Sequence, residues 1–188
     1  MSFYDNQENV EQYITMAAGY DGKLLVDQLK EHLSAGSTVL EIGMGPGVDL
    51  DLLSRDYVAT GSDRSIIFLD RYRAEHPGAD LLQLDAVALE TDRRFDALYS
   101  NKVLHHLTQA ELTESLARQA ALLNPGGLIL HSFWAGDGTE EMHGMRFTYY
   151  TCESLKRVVT PLFEVVDCKP YTEMDDGDSL YLLARVRE

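Results

Sequence analysis

A chain of 188 residues carrying 16 Lys+Arg against 31 Asp+Glu, net charge −15, is long enough for one domain with its own core and too short for a second full one. With 45% hydrophobic and 25% charged residues it reads as globular rather than disordered. Such an excess of acid argues against routine contact with phosphate backbones or an anionic membrane surface, since both need clustered Lys and Arg.

The first eight residues have neither a basic start nor an apolar run, so no secretory signal is expected. No stretch approaches the roughly 18 apolar residues that span a bilayer. The two cysteines, Cys152 and Cys168, make no disulfide framework and have no metal-ligand spacing. They are expected as reduced thiols in a cytoplasmic protein. His105, His106, His131 and His143 show no zinc pattern, and no metal is expected.

Along the chain, Leu25, Leu29 and Leu33 recur every four residues and predict a helix with one apolar stripe ahead of the first strand. Short apolar runs at 38–42, 58–61, 80–84, 95–99 and 128–133 predict five strands separated by helical patterns, which is α/β organisation. Thr108 and Glu111 form a capping box. Leu112, Leu116 and Leu123 supply the buried face of the helix it starts. The turn Asn124-Pro125-Gly126-Gly127 leads into the fifth strand. Runs at 163–166 and 179–183 are two further strands. The polar turn between them (residues 173–178) has no room for a helix, so this pair is predicted to be antiparallel.

The segment Glu41-Ile42-Gly43-Met44-Gly45-Pro46-Gly47-Val48-Asp49 follows the first strand and opens a helix, where a nucleotide-like ligand sits in an open α/β sheet. Its third glycine falls one place earlier than a dinucleotide fingerprint requires. Pro46 removes a backbone donor and Glu41 adds a carboxylate, so the loop suits a ligand cationic at this end better than a pyrophosphate. Asp63, at the end of the second strand about twenty residues past Gly43, is placed to accept both hydroxyls of a ribose. Asp85 ends the third strand, where a base amine is within reach. An acid at each of three strand ends beside a glycine loop is hard to assign to helix caps alone.

With Glu41-x-Gly43-x-Gly45-x-Gly47, Asp63, Asp85-Ala86, residues 95–107 and Leu122-Leu123-Asn124-Pro125-Gly126-Gly127 in this order, the chain resembles the class I S-adenosylmethionine-dependent methyltransferases from residue 39 to about 133. The resemblance implies a doubly wound, mostly parallel seven-stranded sheet with an antiparallel C-terminal hairpin. It implies S-adenosyl-L-methionine as cofactor, held by Glu41, Gly43, Met44, Gly45, Gly47, Asp63, Arg64, Asp85, Ala86 and Asn101. Arg64 departs from the apolar residue many relatives carry, and stacking on adenine is expected there. The domain is expected to divide into a helical lid (1–36), a cofactor-binding core (37–133) and a variable loop, helix and hairpin (134–188).

His105 and His106, after the fourth strand, are candidates for a general base toward the methyl acceptor. Tyr13 and Tyr20, seven residues apart and on a similar face if helical, together with Trp134 and Tyr149, are candidates for the acceptor pocket. The acidic charge, and Ser100-Asn101-Lys102-Val103 where members of the resembled family that methylate nucleic-acid bases tend to carry Asn/Asp-Pro-Pro-Tyr, point to a small-molecule acceptor rather than nucleic acid. Two alternatives stand beside transfer: a catalytically inert S-adenosylmethionine-binding regulatory module, and a nicotinamide-dependent oxidoreductase.

Overall fold

The computed structural model describes Tyr4, residues 6–142 and residues 144–187. Residues 1–3 and 5 of the expected lid span, and His143, lie outside the described residues. The strands are β1 (Thr38–Ile42), β2 (Val58–Asp63), β3 (Leu81–Gln83), β4 (Phe95–Asn101), β5 (Leu123–Trp134), β6 (Thr139–Met142), β7 (Met145–Thr148), β8 (Phe163–Tyr171) and β9 (Ser179–Val186). The α-helices are α1 (Gln7–Ala17), α2 (Lys23–Lys30), α3 (Val48–Leu53), α4 (Ile66–Glu75), α5 (Gln109–Leu122) and α6 (Cys152–Val159).

Seven strands form one sheet in the order β3-β2-β1-β4-β5-β9-β8. The pairs from β3 to β5 are parallel, and β9 pairs antiparallel with both β5 and β8. This is the expected doubly wound sheet with its C-terminal hairpin. Period-two alternation places residues on opposite faces. Val39, Ala97, Tyr99, Leu128 and Leu130 pack under α2 and α3 with Leu25, Leu29 and Leu53. Their neighbours Leu40, Leu98 and Ile129 pack with Leu112 and Leu116 of α5 and with Leu155 and Val159 of α6. Leu123, expected on the helix face, is instead the first residue of β5, buried in that same layer. The strand order reverses between β1 and β4, so a crevice opens beyond their carboxyl ends.

The expected capping box is present: Thr108 Oγ1 accepts from the Glu111 N–H at 3.2 Å while the Glu111 carboxylate accepts from the Thr108 N–H at 2.8 Å. Three expectations are corrected. The cysteines are not free thiols; Cys152 and Cys168 form a disulfide. They are 16 residues apart, but α6 packs on β8 and brings their Cα atoms to 5.8 Å, within bridging range. The expectation of a reducing, cytoplasmic compartment loses its support with this bridge. Second, the segment expected as a variable loop contains the antiparallel pair β6–β7. Its eight strand residues are half-buried or exposed, which blurs the period-two signal. Third, α1 ends at Ala17, so Tyr13 and Tyr20 do not share a helix face. Among the described residues, no helix is long and apolar enough to cross a membrane.

A buried polar chain ties α5 to the sheet. Ser100 Oγ donates to His131 Nδ1 (2.8 Å) and His131 Nε2–H donates to Gln119 Oε1 (2.7 Å). Gln119 Nε2 donates to Ser115 Oγ (3.0 Å), which donates to the Ala86 carbonyl (2.6 Å). Burial pushes the His131 pKa down to about 3. Because the folded pKa lies below the unfolded value of about 6.5, stability from neutral His131 is complete above pH 6.5 and is lost as pH falls toward 3. His131 alone should cost about 2 kcal/mol between pH 6.5 and pH 5, at 1.36 kcal/mol per unit. Denaturant unfolding at pH 7.5 and pH 5 should show this loss, and His131→Gln should shrink it by that amount. An unchanged difference would mean that the imidazole is not neutral in the core.

Candidate functional site

At the carboxyl ends of β1 and β4 lies a cavity of about 480 Å³. Its floor is the β1–α3 loop, where Gly43, Gly45 and Gly47 all have positive φ (71°, 50° and 88°), a conformation that glycine alone adopts without strain. At Gly43 a side chain would strike Val103, which closes the floor; at Gly47 it would strike the Tyr72 ring. Gly47 is therefore a packing glycine between α3 and α4, away from the cavity wall.

Glu41, next-to-last residue of β1, is 3% exposed and faces this cavity. Its Oε2 has no protein partner, so the site holds a buried carboxylate awaiting a donor. Burial raises its pKa well above the usual value, with Asp49, Asp63 and Asp51 adding repulsion. The neighbouring Asp49 is by contrast fully engaged. It accepts from the Gly22 N–H (2.6 Å), the Tyr99 hydroxyl (2.7 Å) and Asn101 Nδ2 (3.0 Å), joining the N-terminal segment to the ends of β1 and β4. Asn101 Oδ1 in turn accepts from Ser132 Oγ (2.5 Å), which fixes the amide against the cavity.

The expected cofactor residues divide. Glu41, Gly43, Met44, Gly45 and Asn101 line the cavity; Gly47, Asp63, Arg64, Asp85 and Ala86 do not. Asp63 accepts from the Gly45 N–H (2.9 Å) and the Ser65 N–H (2.8 Å), so its first task is to hold the glycine loop. Burial raises its pKa against those hydrogen bonds. The rings of Tyr4, Tyr13 and Phe68 gather beside it, with Tyr4 and Tyr13 edge to face at 5.4 Å. Asp85 accepts from the N–H groups of Val87 and Ala88 and stands 3.9 Å from Arg64, both exposed. Ala86 offers its carbonyl to Ser115.

The other wall belongs to the expected catalytic and acceptor residues. His105 is 2% exposed, lines the cavity, and neither ring nitrogen has a partner. Burial, with repulsion from His106 and Lys102, holds its pKa well below 6.5, so the ring is neutral at neutral pH. It stacks on Phe147 of β7 at 5.2 Å. His106 points elsewhere: its Nδ1–H donates to the Arg146 carbonyl at 2.7 Å and anchors the β6–β7 hairpin. Tyr13, Tyr20 and Trp134 line the cavity, whereas the Tyr149 hydroxyl donates to Glu140 away from it.

Several cavity residues escaped the sequence reading. Met16, Met142, Met145 and Met174 surround the cavity, so that with the expected Met44 five of the six methionines line it. These four come from α1, the hairpin and the β8–β9 turn, so only their number was visible in the sequence. Lys102 and Glu173 line it as an ion pair, and Lys102 takes a left-handed φ of 54°. That conformation is uncommon outside glycine and marks a position whose surroundings hold it there. Among the described residues, no group of three His, Cys, Asp or Glu side chains is placed to hold a metal ion.

Comparison with known proteins gives this geometry a context. Residues 39–127 match the methyltransferase domain family. An uncharacterized methyltransferase of Geobacillus kaustophilus is 36% identical over 123 residues, 64% of this chain and 55% of that protein. A mouse tRNA (carboxymethyluridine(34)-5-O)-methyltransferase is 38% identical over 113 residues, 59% of this chain and 16% of its own. The chain thus spans about half the length, or less, of these curated relatives. Among solved structures, the Burkholderia thailandensis 1,6-didemethyltoxoflavin-N1-methyltransferase, with 1,6-didemethyltoxoflavin and S-adenosylhomocysteine bound, superposes with a TM-score of 0.83. It shares 22% identity and covers 96% of this chain and 85% of that one. The likeness is one of fold.

Proposed function

Taking as premise that this chain carries a class I S-adenosylmethionine-dependent methyltransferase domain, we propose that it moves a methyl group from S-adenosyl-L-methionine to a small-molecule acceptor. The observation that carries the reading is Glu41, a buried carboxylate with an unpartnered oxygen facing a cavity beside the glycine loop. An ammonium group is the partner such a carboxylate lacks, and a sulfonium cofactor that also bears an amino group is cationic where the site is anionic.

In this reading Glu41 and the backbone of Gly43 to Gly45 hold the methionine end of the cofactor, with Asn101 beside it. Asp63 takes the ribose hydroxyls while keeping the Gly45 N–H, and Asp85 with Arg64 borders the adenine. Tyr4 and Tyr13 then act as the inner face of a lid that covers the ribose side. The bound cofactor supplies an electrophilic methyl on sulfur, and the protein supplies alignment and exclusion of water. His105, neutral and unpartnered, accepts the proton of an acceptor N–H or O–H. A small acceptor is supported by the cavity volume and by the acidic surface, which gives a phosphate backbone little to hold.

The test is calorimetry followed by turnover. The protein should bind S-adenosylhomocysteine and not NAD, and should release S-adenosylhomocysteine when given S-adenosylmethionine with an acceptor. Binding of NAD alone would sink the reading. Binding of S-adenosylhomocysteine with no turnover across a broad acceptor panel would favour an inert binding module. Asp63→Ala should weaken S-adenosylhomocysteine binding by roughly 1.5–3 kcal/mol, the range for hydrogen bonds to a charged group. Unchanged affinity would remove Asp63 from the ribose site.

A further inference from the structure

The sheet order separates two halves of the cavity. The glycine loop lines it from the end of β1, on one side of the switch point, with Asp63 and Asp85 outside the cavity on that same side, at the ends of β2 and β3. His105, Lys102, Trp134 and Glu173 lie at or beyond the ends of β4, β5 and β8, on the other side, and the β6–β7 hairpin brings Phe147 against them. If the first half holds the cofactor, as proposed above, the second half is the space for the acceptor.

That half is apolar and aromatic, with a soft rim. Met142, on the hairpin, is 41% exposed and Met174, on the β8–β9 turn, is 54% exposed, yet both line the cavity. Exposed methionines on a binding surface are adaptable, because the unbranched thioether fits ligands of varied outline. Trp134 and Phe147 supply flat faces.

Its charge is already spent. Among the described lining residues Lys102 is the one Lys or Arg, against Asp21, Glu41, Asp49 and Glu173. The Lys102 ammonium pairs with Glu173 and donates to Ser179 Oγ (2.9 Å) and the Tyr171 hydroxyl (3.1 Å). Those three partners use its three N–H donors. It also lies 4.0 Å from the centre of the Trp134 ring. Among the described lining residues the one Lys or Arg is neutralised by the protein itself, so a carboxylate entering here finds no counter-charge on the protein. It meets Glu173 and pays desolvation without return.

We infer that the acceptor is an uncharged, flat, largely apolar molecule whose N–H or O–H faces His105, and that the Lys102–Glu173 pair discriminates against acceptors bearing a carboxylate. This rests on the methyltransferase reading. The acceptor nitrogen or oxygen gains the methyl carbon, the S–C electron pair stays on sulfur, and the acceptor's proton passes to His105 and then to water.

The experiment uses protein saturated with S-adenosylhomocysteine and two matched probe pairs: 2-naphthol against 3-hydroxy-2-naphthoate, and indazole against indazole-3-carboxylate. By ordinary ligand efficiency a ring system of this size binds a fitting pocket at millimolar Kd or better. The uncharged member of each pair should bind at least tenfold more tightly to the unmodified protein. Glu173→Gln, which frees the ammonium, should narrow that gap tenfold. Equal or tighter binding of the carboxylates, no binding of the uncharged members at millimolar concentration, or a gap unmoved in a folded Glu173→Gln variant would each overturn the inference. The comparison on unmodified protein decides the acceptor class even if that variant does not fold. A protein that binds no S-adenosylhomocysteine in the preliminary titration defeats the underlying reading instead, so the two failures are distinguishable.

Discussion

Glu41→Gln is expected to make the free protein more stable and the cofactor complex weaker, a pairing that a merely structural carboxylate would not produce. The folded pKa of Glu41 is raised, by burial first and by Asp49, Asp63 and Asp51 after it. A carboxylate raised in this way contributes stability that is complete below its unfolded pKa of about 4.3 and is lost as pH rises through the folded value. At neutral pH the free protein therefore carries a destabilising group. The amide removes the charge at the same shape and should raise stability by about 1–3 kcal/mol, the desolvation cost of an unsatisfied buried group. The same change removes a charge-assisted partner for the cofactor's ammonium. It should cost roughly 1.5–3 kcal/mol of S-adenosylhomocysteine affinity, about ten- to a hundredfold. Denaturant midpoints and calorimetry measure the two effects separately. Loss of stability with affinity unchanged would remove Glu41 from the cofactor site.

Glu41 also shows why some of the site was legible and some was not. A glycine loop between a strand and a helix is a local pattern, and the register of β1 follows from burial on both faces, so residue 41 was placed by its neighbours in the chain. The same holds for the seven-stranded sheet, whose strands each contain a short stretch with apolar residues, and for the Thr108–Glu111 cap, which spans four residues. What the chain did not disclose depends on contacts between distant segments. Lys102 meets Glu173 across 71 positions, and Asp49 meets Gly22 across 27. Cys152 reaches Cys168 because α6 lies on β8, not because of their spacing. Met142, Met145 and Phe147 enter the cavity on a hairpin whose strands are partly exposed on both faces, so no apolar alternation announced it. The two adjacent histidines are the sharpest case. One residue of offset on the turn at Leu104–His106 sends His105 into the cavity and His106 to the Arg146 carbonyl, and no sequence pattern distinguishes them.

That division sets the second large expected effect. His105→Gln should leave S-adenosylhomocysteine affinity within about threefold and lower methyl transfer by 10²–10⁴, the usual range for removing a general acid or base. His106→Ala should act differently: the lost hydrogen bond, about 1 kcal/mol, loosens the hairpin and lowers turnover several-fold at most. The pH profile provides a readout independent of that ranking. His105 is a base whose pKa is depressed by burial, with His106 and Lys102 adding repulsion, so its neutral form persists well below pH 6.5. A cationic cofactor beside it would depress the pKa further. The acid limb of kcat should therefore fall below pH 6.5 rather than at the ordinary imidazole value. In a nuclear magnetic resonance titration of the free protein, the His105 ring should stay neutral as the pH falls through 6.5. A His105 that titrates near 6.5, or a His105→Gln protein that turns over like its parent, would mean that the acceptor loses its proton directly to water.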